Sequence, residues 1–311
     1  MRSAIENDAS DLSIPAVSSP GNASRGTPLF SRVTIAAPGL LGGSLALALR
    51  QRGLAGTVVG VARRQETLDE GLERGAFDIG TLNGADGVRG ANLLVIGAPV
   101  RATIEILSAL APSLPENCLV TDLGSTKRVV MDEALRILGP GRFVGGHPMA
   151  GSHESGIAAA RAGLFEDARY LLTHDGQTAF EHLEKMEQLA RAIGARPLWL
   201  DAEDHDALVA RISHLPHVAA CALVECAEDY TRSGISALSL AAAGFRDTTR
   251  IAAGHPAMWS DICLTNKGPL IESLDSFVEA LAGLRQRIVE GDEAALSEWL
   301  TAAGMMRRRI E

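Results

Sequence analysis

The residues with the most chemistry to offer stand together at His147-Pro148-Met149-Ala150-Gly151-Ser152-His153-Glu154-Ser155-Gly156. Proline pushes its predecessor toward an extended backbone, so His147 does not sit inside a helix. The glycines and serines that follow are the composition of an irregular loop with exposed donors. An imidazole whose pKa lies near neutrality can take or give a proton there. If the segment before it holds a nucleotide, His147 can meet whatever that nucleotide reacts with. The competing reading is an ordinary loop histidine.

The elements that must position this loop lie upstream. Short β-rich runs cover residues 32–36, 57–62, 92–98, 118–122 and 142–145, with helical stretches near 44–52, 65–74 and 103–110. Gly53 stops the first helix. The continuously apolar run 92–98 is what a strand buried on both faces requires. Alternating β and α at this spacing predicts an α/β fold with a doubly wound, Rossmann-type parallel sheet. Further strands follow at 170–173 and 196–200, with a helix over 178–193 between them. Beyond Asp201 the pattern is all α, with helices over 202–229, 236–243 and 269–290. Residues 207–223 show so little polar surface that burial on several sides is expected, against a second subunit among others. The expected division is a flexible tail over 1–29, a dinucleotide-binding domain over 30–200 and a helical dimerisation and substrate domain over 201–311.

Composition narrows the partners. A chain of 311 residues is long for one core, which agrees with two domains. The net charge of −9 argues against nucleic acid and anionic membrane surfaces. An anionic substrate then needs a local cluster of Arg, Lys and His. The four cysteines, Cys118, Cys221, Cys226 and Cys263, have neither Cys-x-x-Cys nor metal-ligand spacing. They read as reduced thiols in a cytoplasmic protein without a metal site. No run approaches the roughly 18–20 uninterrupted apolar residues of a membrane span. The first 29 residues lack the apolar core of a signal peptide.

The first strand-to-helix turn reads Ala37-Pro38-Gly39-Leu40-Leu41-Gly42, against the dinucleotide fingerprint Gly-x-Gly-x-x-Gly. Gly39 lets backbone approach a pyrophosphate, and Gly42 permits close helix–strand packing. Ala37 stands where the first glycine belongs and tolerates a tight turn less well, while Pro38 removes an amide donor. Gly39, Leu40, Leu41 and Gly42 are the candidate phosphate-binding residues, joined by Pro99 after the run 92–98. The second strand ends in Arg63 and Arg64 rather than in a carboxylate for a ribose hydroxyl. Guanidinium suits a 2′-phosphate, so NADP is favoured over NAD. The alternative is a solvated helix start.

With these residues in view, the sequence resembles the prephenate/arogenate dehydrogenase family of tyrosine biosynthesis, from about residue 33 to about residue 261. Gly39-Leu40-Leu41-Gly42-Gly43-Ser44-Leu45 resembles its nucleotide turn, and Thr121-Asp122-Leu123-Gly124-Ser125-Thr126-Lys127 its strand-end loop. His147-Pro148-Met149-Ala150-Gly151-Ser152 is similar to its catalytic loop. Ser213-His214-Leu215-Pro216-His217 is similar to its helical-domain motif, and Phe245-Arg246-Asp247-Thr248-Thr249-Arg250-Ile251 to its substrate segment. The chain departs from the family at Ala37-Pro38, usually Gly-Leu, and at His153-Glu154, usually Glu-Lys.

The resemblance implies oxidative decarboxylation of a dianionic or zwitterionic cyclohexadienyl substrate with hydride transfer to NADP or NAD, in a homodimer formed through the helical domain. It places His147 as the base for the substrate hydroxyl, with Ser125 hydrogen-bonding to the hydroxyl or the imidazole. Arg250 becomes the carboxylate anchor, because guanidinium grips carboxylate bidentately. His217 is the second polar contact and His214 a weaker one. Other readings stay open: Ser125 as a helix cap, Arg250 as a partner of Asp247 or Glu225, and Trp259 as interface plug or core filler. Lys127 meets the cofactor or orders the Ser125 loop. A β-hydroxy-acid dehydrogenase would use Lys267, the only lysine after residue 200, and would leave His147 idle. A dinucleotide-binding redox sensor would need no catalyst at all.

Overall fold

The computed structural model describes residues 27–151 and 154–310. The expected tail lies outside the described residues up to position 26, as do Ser152 and His153. The chain alternates β1 (Phe30–Ala36), α1 (Leu40–Gln51), β2 (Ala55–Val61), α2 (Gln65–Glu73), β3 (Ile79–Thr81), α3 (Gly84–Val88), β4 (Leu93–Ile96) and α4 (Val100–Leu110). It continues through β5 (Leu119–Asp122), α5 (Arg128–Leu138), β6 (Phe143–Pro148), β7 (Arg169–Thr173), α6 (Phe180–Ala192) and β8 (Arg196–Trp199). These strands form one eight-stranded sheet in the order β3-β2-β1-β4-β5-β6-β7-β8.

Every pairing is parallel except β6 with β7, where Gly145 faces Thr173 and His147 faces Leu171. That antiparallel pair is the one departure from the expected parallel sheet. Side-chain alternation explains the two cores. Leu93 and Val95 of β4 enter a cluster with Val33, Ile35, Leu45 and Leu49, while Leu94 and Ile96 enter another with Val120, Leu107 and Val130. A strand buried on both faces is thus apolar at every position. The strand order reverses between β1 and β4, and a crevice opens outside their carboxyl ends.

The remainder is mostly helical: α7 (Ala202–Val209), a π turn over Ala210–His214, α8 (Leu215–Glu228), α9 (Ala243–Thr249), α10 (Pro256–Thr265), α11 (Lys267–Glu290) and α12 (Glu293–Arg307). The π turn has a local cause. Pro216 cannot donate an amide, and the register widens so that Leu215 N–H donates to Ala210 C=O. The helix expected over 236–243 does not form. Ser233 and Gly234 both take left-handed φ, 55° and 78°, and fold a tight hairpin of β9 (Thr231–Arg232) and β10 (Ile235–Ser236). A 3-10 turn over Ala237–Leu240 follows.

Hydrogen bonds and ion pairs hold this helical part on the sheet. Arg101 of α4 binds Asp261 of α10 through its backbone N–H at 3.2 Å and its Nε at 2.6 Å. Thr126 donates to Thr265 at 3.1 Å. By length and composition alone, the continuous helix from Ala202 to Glu228 is apolar enough to cross a bilayer. Its buried face nonetheless carries His205 and Asp206 against the sheet part, and His214 and His217 against Asn266 and Trp259 of the later helices. Its other face leaves Ile212 and Leu223 exposed, as are Val278, Leu281, Ile288 and Leu300 on the later helices.

Candidate active site

At the β1–α1 corner the ligand-facing groups are backbone. Ala37 takes φ 55°, the left-handed conformation that the fingerprint's first glycine normally supplies. The turn closes in spite of the Cβ, with Gly39 N–H donating to Ala37 C=O at 2.9 Å and Ala37 N–H to Val61 C=O at 2.9 Å. A Cβ on Gly97 would come within 3.0 Å of the Ala37 carbonyl, and one on Gly42 within 3.1 Å of Ile35 Cγ2. Around Gly39 a Cβ would meet nothing within 4 Å. Helix α1 begins there with no side-chain cap and no acidic residue in its first turn, leaving its amides for an anion.

A cleft of about 830 Å³ opens from this corner, lined by Gly39, Arg63, Arg64, Gly97 and Pro99 among others. Close packing at Gly42 and Gly97, open space at Gly39 and a helix N-terminus facing a cleft of this size fit a nicotinamide dinucleotide. Leu40 and Leu41 do not line the cleft; they pack on the core beneath the corner.

His147 lies at the carboxyl end of β6, on the same edge of the sheet, with β5 between it and β4. Its Nδ1 is 2.9 Å from Nε2 of His205, whose Nδ1 is 2.8 Å from Asp206 Oδ1. Asp206 also accepts the backbone N–H groups of Lys127 at 2.7 Å and Arg128 at 3.0 Å. A carboxylate from α7 therefore caps α5, and Ser125 does not. Ser125 is left half-buried in the loop between β5 and α5, without a capping bond.

Beneath His147, Lys127 Nζ and Asp122 form a fully buried ion pair. Lys127 Nζ donates to Gly146 C=O at 2.9 Å, and Gly146 N–H donates to Asp122 Oδ1 at 3.0 Å. Gly146, the residue before His147, is thus gripped at both its N–H and its C=O. Burial drives the His147 pKa well below its ordinary 6.5, and the positive charge that His205, Lys127 and His214 can carry adds to this. The imidazole is neutral and able to accept a proton.

The helical wall brings His214 and His217 together on one indole. His217 stacks on Trp259 at 3.5 Å with an interplanar angle of 7°, and His214 meets the same ring edge-on at 6.2 Å. His214 is buried, and its Nδ1 accepts from Asn266 Nδ2 at 3.0 Å. Burial pushes its pKa down to about 4. His214 is a structural neighbour here, while His217 borders the turn Arg250–Ala253 that packs on α8. Arg250 opens that turn, is exposed, and forms no ion pair with Asp247 or Glu225. Among the described residues no hydrogen bond or ion pair joins it to His147.

Comparison with known proteins decides the family. A family model described as prephenate dehydrogenase, nucleotide-binding domain matches residues 45–198, and one described as prephenate dehydrogenase, dimerization domain matches residues 201–302. The chain belongs to the prephenate dehydrogenase family. It is 36% identical over 274 residues to a prephenate dehydrogenase of Bacillus subtilis, covering 87% of this chain and 74% of that one. A crystal structure of prephenate dehydrogenase from A. aeolicus with hydroxyphenyl propionate and NAD+ superposes with a TM-score of 0.86 at 32% identity, covering 90% of this chain and 98% of that one. The Synechocystis arogenate dehydrogenase structure gives 0.80 at 30% identity, covering 90% and 100%.

Membership in the prephenate dehydrogenase family leaves the β-hydroxy-acid and redox-sensor readings without support. Lys267, on which the first depended, is exposed at the start of α11. Sequence reasoning missed His205, Asp206, Asp122 and Asn266. One signal was available: a helix apolar enough to be buried on several sides carries adjacent histidine and aspartate, and buried polar groups demand partners.

Proposed function

We propose that the chain oxidatively decarboxylates prephenate or arogenate with hydride transfer to a nicotinamide dinucleotide, yielding 4-hydroxyphenylpyruvate or tyrosine. The observation that carries this reading is a neutral, buried His147 on the same sheet edge as the dinucleotide-shaped corner. When bound, the nicotinamide supplies the hydride acceptor. Gly39, Arg63, Arg64 and Pro99 would hold the dinucleotide, with Gly42 keeping α1 close to β1.

His147 takes the substrate hydroxyl proton as the carbinol carbon loses hydride. The ring carboxylate then leaves as carbon dioxide, its bonding electrons aromatise the ring, and the proton returns to the phenolic oxygen. Ser125, with no capping duty, is available to hydrogen-bond the same hydroxyl. Arg250 anchors a substrate carboxylate from the helical wall, and His217, oriented by Trp259, makes the second polar contact.

Arg63 and Arg64 support NADP over NAD at the β2 end. The exposed apolar faces of α8, α11 and α12 support a homodimer through the segment 201–311, with the domain boundary near residue 200. The reduced thiols agree with a cytoplasmic enzyme. The test is direct: incubate the protein with prephenate or arogenate, each with NAD and with NADP, and follow reduced cofactor by absorbance. Turnover with at least one pairing is expected, fastest with NADP. No turnover with any pairing overturns the reading.

A further inference from the structure

The hydrogen bonds behind His147 fix which of its nitrogens carries the proton. Asp206 is an acceptor, engaged by two backbone N–H groups at the start of α5. His205 Nδ1, 2.8 Å from the same Oδ1, must therefore donate. His205 is completely buried, and burial is the largest influence on its pKa, pushing it below 6.5 against the opposing pull of Asp206. A neutral His205 that donates from Nδ1 has a bare Nε2. That nitrogen lies 2.9 Å from His147 Nδ1, so His147 must donate there, and its own Nε2 is bare.

We propose that His205 and Asp206 are positioning residues that lock His147 in the Nδ1–H tautomer, presenting an unprotonated Nε2 to the substrate hydroxyl. This rests on His147 being the base in the reaction above. Were the two histidines to exchange roles, Nε2 of His147 would carry a hydrogen and could not accept one.

The proton balance of the reaction suits such a closed arrangement. The dianionic substrate becomes a monoanionic product and carbon dioxide, hydride accounts for the two electrons removed, and the phenolic oxygen ends with the proton that the hydroxyl began with. His147 must hold one proton briefly and hand it back. While it does, both of its nitrogens carry hydrogen, the Nδ1–H···Nε2 bond to His205 persists, and the Asp206 carboxylate behind it stabilises the charge. No route to solvent is needed, and His205 and Asp206 offer none, being buried. Among the described residues, the ionisable groups around His147 are His205 of α7 with Asp206 behind it, His214 from the π turn, and Lys127 from the β5–α5 loop, which is paired with Asp122 at the end of β5.

The arrangement also divides labour between domains. The base belongs to the nucleotide-binding sheet, while the residues that set its tautomer open the helical segment, 58 positions further on. Asn266 at the foot of α11 holds α7 at its middle, donating to Asp206 C=O at 2.8 Å.

Ring-nitrogen NMR of the full-length protein with 15N-labelled histidine, free of substrate at pH 8, reads the tautomer directly once His147→Asn assigns the signal. The expected spectrum shows His147 protonated at Nδ1 and bare at Nε2. His205→Leu removes the acceptor, and should shift the His147 signal toward the Nε2–H form and lower kcat on the order of 10²-fold or more with KM within about three-fold. His205→Gln, whose carbonyl can accept the same hydrogen, should recover kcat to within about ten-fold of the unmodified protein. Thermal melting and cofactor binding check that each variant is folded. A His147 that carries hydrogen on Nε2 in the unmodified protein overturns the proposal, as does folded His205→Leu with kcat within three-fold. Failure of the underlying reaction would show separately, as an unmodified protein without turnover, while the spectrum is read without substrate.

Discussion

At the β1–α1 corner the groups that face the ligand are backbone amides and open space, whereas around His147 they are side chains from separate segments locked by bonds of 2.7–3.0 Å. The corner is made by contiguous residues 37–42, and it tolerates an alanine where glycine belongs because the strain falls on one φ angle. The His147 network joins Asp122, Lys127, Gly146, His205 and Asp206, most of them fully desolvated. There, every donor needs its acceptor, and a single deletion strands a buried charge. A site can therefore be permissive toward its cofactor and strict toward its proton chemistry in the same molecule.

The contrast breaks most visibly at Lys127. Lys127→Met should leave Asp122 buried without its cation and destabilise the fold by about 3–5 kcal/mol, measured by chemical denaturation. A loss below 1 kcal/mol would show that the network is as tolerant as the corner. Arg250→Gln probes the exposed wall instead. Losing a charge-assisted carboxylate bond should raise KM for substrate by roughly ten- to hundred-fold while kcat changes little. An unchanged KM would remove Arg250 from the anchor role.

Acid should separate the two regions by stability. Burial holds His147, His205, His214 and His217 below 6.5 in the folded chain. The unfolded chain takes up those protons near 6.5, so it binds more protons than the native state at lower pH. This contribution to stability is complete above about pH 7 and lost as pH falls through 6.5 toward the folded values. The melting temperature should hold steady from pH 8 to 7 and drop toward pH 5. A rise over that lower range would contradict the burial of neutral imidazoles. The smallest effect belongs to the corner. Ala37→Gly should relieve the left-handed strain and stabilise by about 1 kcal/mol, with turnover intact. A lower melting temperature would mean that the alanine is doing something other than straining the turn.

The same contrast explains what could be read in advance. The corner, the strand pattern and the His147 loop are local, so spacing and apolar runs announce them. The bonds from His147 to His205 and Asp206 are not local, and nothing near His147 points to His205. Ser125 shows the hazard of local reasoning: Gly-Ser-Thr-Lys reads as a cap, but the cap of α5 is Asp206, which arrives from another helix. The alanines and leucines after Ser233-Gly234 read as helix, but the dipeptide folds a hairpin and only a 3-10 turn follows it. Apolar composition can mark a face to be covered, but does not choose between helix and irregular structure for a short segment.

The central claim is that His147 accepts the substrate hydroxyl proton. Comparing kcat of His147→Asn with the unmodified protein, under saturating substrate and cofactor, tests it most directly, with the cofactor dissociation constant measured alongside. A fall in kcat of about 10²- to 10⁴-fold with cofactor affinity unchanged is expected. Full turnover in folded His147→Asn would contradict the account and send the search for the base elsewhere.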